Sequence, residues 1–180
     1  MRLRATILAG CAALGALMGA AHAGERAATA EETWLAAHNA ERAAFGTPPL
    51  RWNAALAAEA RGWAERLARE NVLRHSPRET RNGTGENLWM GSAGYYSPAR
   101  MIAAFTEEKR YFRPGTFPHV SRTGNWADVG HYTQIVWADT REVGCASARG
   151  VHFDVLVCRY WPAGNVIGQR IAPGRVAANR

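Results

Sequence analysis

VGCASARGVHFDVLVCRY, residues 143–160, is the stretch that decides the fold. Val143-Gly-Cys145-Ala-Ser and Val151-His-Phe-Asp-Val-Leu-Val-Cys158-Arg-Tyr160 are two β-prone runs separated by a turn signal at Arg149-Gly150, so the stretch reads as a β-hairpin. Val155, Leu156 and Val157 are consecutive and apolar, the pattern of a strand buried on both faces. The chain has three cysteines, and Cys11 falls in an apolar N-terminal stretch, which leaves Cys145 and Cys158. In an exported chain these two allow one intramolecular pairing, a staple between neighbouring strands worth about 3 kcal/mol. Two free thiols is the alternative.

Just upstream lies GHYTQIVW, residues 130–137, which reads as the start of a short fourth helix carrying His131. Before it, residues 113–129 are rich in Pro, Gly, Thr and Asn and read as a long loop. Three further helices are expected. Thr29-Ala-Glu-Glu32 is a capping box opening a helix over about 30–45, ended by Gly46 and Pro48-Pro49. Asn53 caps a second over about 54–71, with Leu56, Ala60, Trp63 and Leu67 as its apolar stripe. Ser97-Pro98 opens a third, running to about Phe112. Asn87–Met90 is a weaker strand signal, and residues 166–180, with three arginines and no acid, read as a frayed tail.

The N-terminus has the layout of a secretory signal peptide over residues 1–23: Met1-Arg2-Leu3-Arg4, an Ala/Gly/Leu-rich run, then Ala21-His22-Ala23. An uncleaved anchor and a lipidation box at Leu8–Cys11 are the alternatives. Without the leader, one domain of residues 24–168 and a basic tail of 169–180 are expected. Removing Arg2 and Arg4 leaves 20 basic against 15 acidic residues, a net charge of about +5. The charge is scattered, with 21 arginines and one lysine and no aromatic-interleaved basic stripe, which argues against nucleic-acid binding. Asn82-Gly83-Thr84 is both a glycosylation sequon and a turn signal.

One carboxylate stands out. Met101, Phe105 and Phe112 define an inward stripe on the third helix, and Glu108 falls on it, while Glu107, Lys109 and Arg110 point elsewhere. A carboxylate on an apolar face is costly unless it snorkels to the helix edge or meets a partner in a cleft. His131, and His75 with Glu86 in the loop HSPRETRNGTGEN, are candidate partners, but spacing alone does not join them.

GHYTQIVW, VGCA at 143–146 and CRYWPAGN at 158–165, together with His38-Asn39, HS at 75–76, GEN at 85–87 and SRTGNW at 121–126, resemble the signatures of the CAP superfamily. That group comprises cysteine-rich secretory proteins, venom antigen 5 and pathogenesis-related-one proteins. The resemblance spans about residues 30–168 and implies an α+β fold, a three-layer α-β-α sandwich with a central antiparallel sheet. It also implies a cleft lined by His75, Glu86, Glu108 and His131. Where family members usually carry Trp three residues before the inward acid, this chain has Phe105, which removes an indole donor.

Two imidazoles with carboxylates suit zinc or a similar divalent ion, with His75 and His131 as ligands and Glu86 or Glu108 nearby. Function reads three ways. The first is a secreted, non-enzymatic module, extracellular or periplasmic, binding a lipid, sterol or other small ligand, with Trp89, Tyr95 and Tyr96 as apolar candidates. The second is a hydrolase, metal-assisted or using Ser76 with His131 and a glutamate; neither H-E-x-x-H nor G-x-S-x-G is present. The third is a purely structural polar network. No cofactor is required by the sequence, and no span other than the leader is long enough to cross a membrane.

Overall fold

The computed structural model describes residues 26–171. The expected leader with Cys11, and the tail beyond Ile171, lie outside the described residues. Helix α1 covers Ala30–Phe45, with the capping box formed as expected: Glu32 N donates to Thr29 Oγ1 at 3.2 Å and Thr29 N donates to Glu32 Oε2 at 2.7 Å. Gly46 ends it in the left-handed conformation (φ 82°), which a side chain would resist. Strand β1 is only Arg51–Trp52; α2 follows over Ala54–Glu70, its first amides at Ala55 and Leu56 held by Asn53 Oδ1. Strand β2 spans Gly85–Ser92, α3 spans Pro98–Thr106 with Ser97 as cap, and α4 spans Gly130–Ile135. The hairpin is β4, Glu142–Arg149, with β5, Phe153–Trp161. Two-residue strands β3 (Gly115–Thr116) and β6 (Arg170–Ile171) pair separately.

The main sheet runs β1-β4-β5-β2. It is antiparallel through β4, β5 and β2, with Cys145 opposite Cys158 and Glu86 opposite Arg159, and takes β1 in parallel at one edge. One face packs on α2: Leu88, Ala146, Val155 and Val157 meet Ala60, Ala64 and Leu67. The other face packs on α1, α3 and α4 through Leu156, Cys158, Tyr160, Trp34, Phe105 and Ile135. These are the three layers of an α-β-α sandwich, and Val155–Val157 are fully buried because both faces are covered. Cys145 and Cys158 form the expected disulfide. Arg42, fully buried on α1, has no carboxylate partner among the described residues; its guanidinium donates instead to the carbonyls of Pro48, Ile135, Trp137 and Thr140 and ties α1 to the end of α4.

Four expectations need correction. Helix α3 stops at Thr106, not Phe112, and Glu107–Arg110 tighten into a 3-10 turn. Trp63 is only partly buried and packs against the edge of the core, and the fully buried stripe of α2 is Leu56, Ala57, Ala60, Ala64, Leu67 and Ala68. Residues 113–129 are not wholly loop, since β3 lies within them together with a 3-10 turn at Trp126–Asp128. The tail begins later than residue 169: Arg170 and Ile171 pair with Thr116 and Gly115, and Ile171 is buried, because an apolar side chain there closes over the core.

Candidate functional site

The four expected residues fall into two separate pairs, one on each side of the sheet. Glu86 alternates with Leu88 along β2 and so faces the α2 layer. Its side chain is fully buried, and every acceptor position is engaged. His75 Nδ1 lies 2.6 Å from Oε1, Ser76 N donates to Oε1 at 3.0 Å, Ser76 Oγ donates to Oε2 at 2.8 Å, and Arg159 Nη2 sits 3.2 Å from Oε2. Burial penalises the Glu86 charge, but the bonds from His75 and Ser76 and the Arg159 charge outweigh it and hold its pKa below the ordinary value.

Glu108 belongs to the opposite layer. Its Oε2 accepts from the backbone amides of His131 and Tyr132 at 2.9 and 3.1 Å, and Oε1 lies 2.6 Å from His131 Nδ1. Val129, at the cap position of α4, offers no side-chain acceptor, so a carboxylate from another element satisfies the first amides of the helix. The inward acid is thus neither snorkelling nor stranded. Phe105 stacks on the His131 ring with centroids 4.6 Å apart, taking the position where an indole was expected. Asn87, on the same side of β2, donates Nδ2 to His131 O (3.1 Å) and to the Tyr160 hydroxyl (3.0 Å).

Since a carboxylate only accepts, each histidine uses Nδ1–H toward its glutamate and keeps Nε2 as a free lone pair when neutral. Both rings line a groove of about 950 Å³ that wraps the start of β2, and neither Nε2 has a protein partner among the described residues. Glu86 also lines it; Glu108 stands behind His131. Each ring thus offers one lone pair to the groove and is oriented through its other nitrogen by a glutamate. Among the described residues, the only trio of His, Cys, Asp or Glu donor atoms within 4.8 Å of one another is His38, Cys145 and Cys158, whose sulfurs are spent in the disulfide.

Ser76 is 3% exposed, its hydroxyl is committed to Glu86, and neither histidine bonds it. The expected aromatics Trp89, Tyr95 and Tyr96 cluster toward the far end of β2 and do not line the groove. Its apolar wall comes from Phe117, Pro118, Trp126, Val166 and Ile167, which sequence reasoning missed; the loop from 113 to 129 shows no periodicity from which burial can be read. Segment 163–167 is held there by α4: Gly164 N donates to Gln134 Oε1, Thr133 Oγ1 donates to Asn165 Oδ1, and Asn165 Nδ2 donates to the backbone carbonyl of Gly130.

The family model of the cysteine-rich secretory protein family (CAP) matches residues 35–160, and the chain belongs to that family. It is 37% identical over 145 residues to pathogenesis-related protein 1B of Nicotiana tabacum, covering 79% of this chain and 81% of that one. It is 36% identical over 141 residues to Golgi-associated plant pathogenesis-related protein 1 of Homo sapiens, covering 75% and 84%. Among solved structures it resembles NaASP2 with Zn2+, at a TM-score of 0.67 and 25% identity over 81% of this chain and 85% of that one.

Proposed function

We propose that this protein is an exported, non-enzymatic binding module whose groove takes a lipid, sterol or similar small apolar ligand, and whose two histidines hold a divalent ion such as zinc. The observation that carries this is the groove itself. At about 950 Å³ it lies within the range of small-molecule sites, and its lining includes both imidazoles together with Phe117, Trp126 and Ile167. The ion would sit on His75 and His131 Nε2 and take solvent for its other positions; bound there, it supplies a fixed positive charge and a Lewis-acid centre. The similarity to NaASP2, crystallised with Zn2+, supports the metal half of the reading. Export rests on the leader-like N-terminus and on the disulfide, which suits an oxidising compartment.

Titration with a sterol or fatty acid, followed by tryptophan fluorescence, is expected to saturate at one equivalent, and linear or absent uptake would remove the ligand half. Zinc measured by competition with a chromogenic chelator should bind once. His75→Ala or His131→Ala should abolish that binding, whereas Glu108→Gln should weaken it roughly 10- to 100-fold through loss of ring orientation. Unchanged zinc affinity in both histidine variants would reject the metal half.

A further inference from the structure

The groove is chemically two-sided. Arg78 and Arg81 lie on its wall with His75 and Glu86, whereas Phe117, Trp126 and Ile167 supply the apolar wall; Trp126 is 47% and Ile167 80% exposed. The two arginines are three residues apart on a 3-10 turn closed by Arg81 N donating to Arg78 O at 3.1 Å. In that conformation side chains at i and i+3 leave the turn on the same side, and both arginines line the groove. Neither makes an ion pair with a carboxylate among the described residues, and Arg81 Nε is buried without any partner. Glu79, between them in sequence, does not line the groove.

The nearby negative charge is already used. Glu86 is engaged by Arg159, itself 5% exposed, whose Nε and Nη1 also lack partners among the described residues. Burial, and then the neighbouring Arg81 charge, push the Arg159 pKa down, while Glu86 and Glu59 push it up. This wall therefore carries more guanidinium charge than its carboxylates offset. One guanidinium fork matches one carboxylate; two adjacent forks match an oxyanion with three terminal oxygens and close to two negative charges.

We propose that Arg78 and Arg81 form a paired-guanidinium subsite for a phosphate ester, so that the groove's ligand is an amphiphile with its phosphate head on these arginines and its hydrocarbon chain along Trp126 and Ile167. The proposal rests on reading the groove as a ligand site and adds the chemical class of what it takes.

The test compares dodecyl phosphate, dodecanol and inorganic phosphate, all below micelle-forming concentration, by isothermal titration on the full mature chain. At low ionic strength dodecyl phosphate should bind at least about tenfold more tightly than dodecanol and than inorganic phosphate, with the headgroup gap narrowing as salt rises. In the double variant Arg78→Gln/Arg81→Gln the gap should vanish while dodecanol affinity stays the same. Arg78→Gln alone, at an exposed position, should narrow the gap by roughly threefold and serves as the test if the double variant does not fold. A gap that survives these substitutions overturns the subsite, as does a wild-type protein that binds both amphiphiles equally. Inorganic phosphate binding as tightly as dodecyl phosphate overturns the amphiphile and leaves a plain oxyanion site. If neither amphiphile binds, the groove reading fails and this proposal fails with it.

Discussion

His38 illustrates how a single residue sets a pH response. Its ring is fully buried, with Nδ1 donating to Trp34 O at 2.7 Å and Nε2 accepting from the Tyr160 hydroxyl at 2.8 Å. Burial is the main cause that lowers its pKa to about 4 from an ordinary value of 6.5. Between those values the unfolded chain binds the extra proton, so the stability His38 contributes is complete above about pH 6.5 and lost as pH falls toward 4. The full loss is on the order of 3 kcal/mol. Urea unfolding from pH 7.5 to 4 should show this slope, and His38→Gln should flatten it; an equal slope in the variant would show that other groups are responsible. Glu86 has a different window. Its depressed pKa stabilises the fold above the unfolded value near 4.5 and is lost as pH falls below that. At this scale Glu108 was legible in the sequence as an acid on an apolar stripe, but its backbone partners were not. They lie 23 and 24 residues away on another helix, and the missing side-chain cap of α4 for which Glu108 stands in is seen only in the structure.

The elements themselves were largely legible wherever a local signal existed. Thr29, Asn53 and Ser97 each cap the helix they were expected to cap, because capping is decided within four residues. Two-residue strands have no such signal: β1, β3 and β6 exist only because distant backbone pairs with them. The early end of α3 is of the same kind, a helix tightened where Glu108 reaches across to α4. The contact between α2 and β4 is similarly tertiary. A Cβ on Gly144 would lie 2.5 Å from Asn53 O and 2.7 Å from Leu56 C, both backbone atoms of the α2 start, which cannot swing aside. Gly144→Ala should therefore cost at least about 2 kcal/mol in urea unfolding, whereas Gly62→Ala, whose Cβ meets nothing within 4 Å on the same helix, should be neutral or slightly stabilising. Equal effects from the two would contradict this packing.

For the molecule as a whole, the hairpin at 143–160 and its disulfide hold the middle of the sheet. Replacing both cysteines by alanine should lower the unfolding free energy by about 3 kcal/mol while leaving far-UV circular dichroism unchanged; an unaltered denaturation midpoint would show the staple to be dispensable. The layer order could be anticipated from the resemblance, but not the way the site is divided between layers. His75 lies in the loop after α2 and binds Glu86 beneath the sheet, and His131 lies in the first turn of α4, above it; both line one groove where β2 begins. The gap between them is thus owned by no single helix or strand. It works like a calliper whose jaws are fixed to different plates, and whatever grips both jaws would bolt the two plates together, alongside the tie that Asn87 of β2 already makes to His131 O.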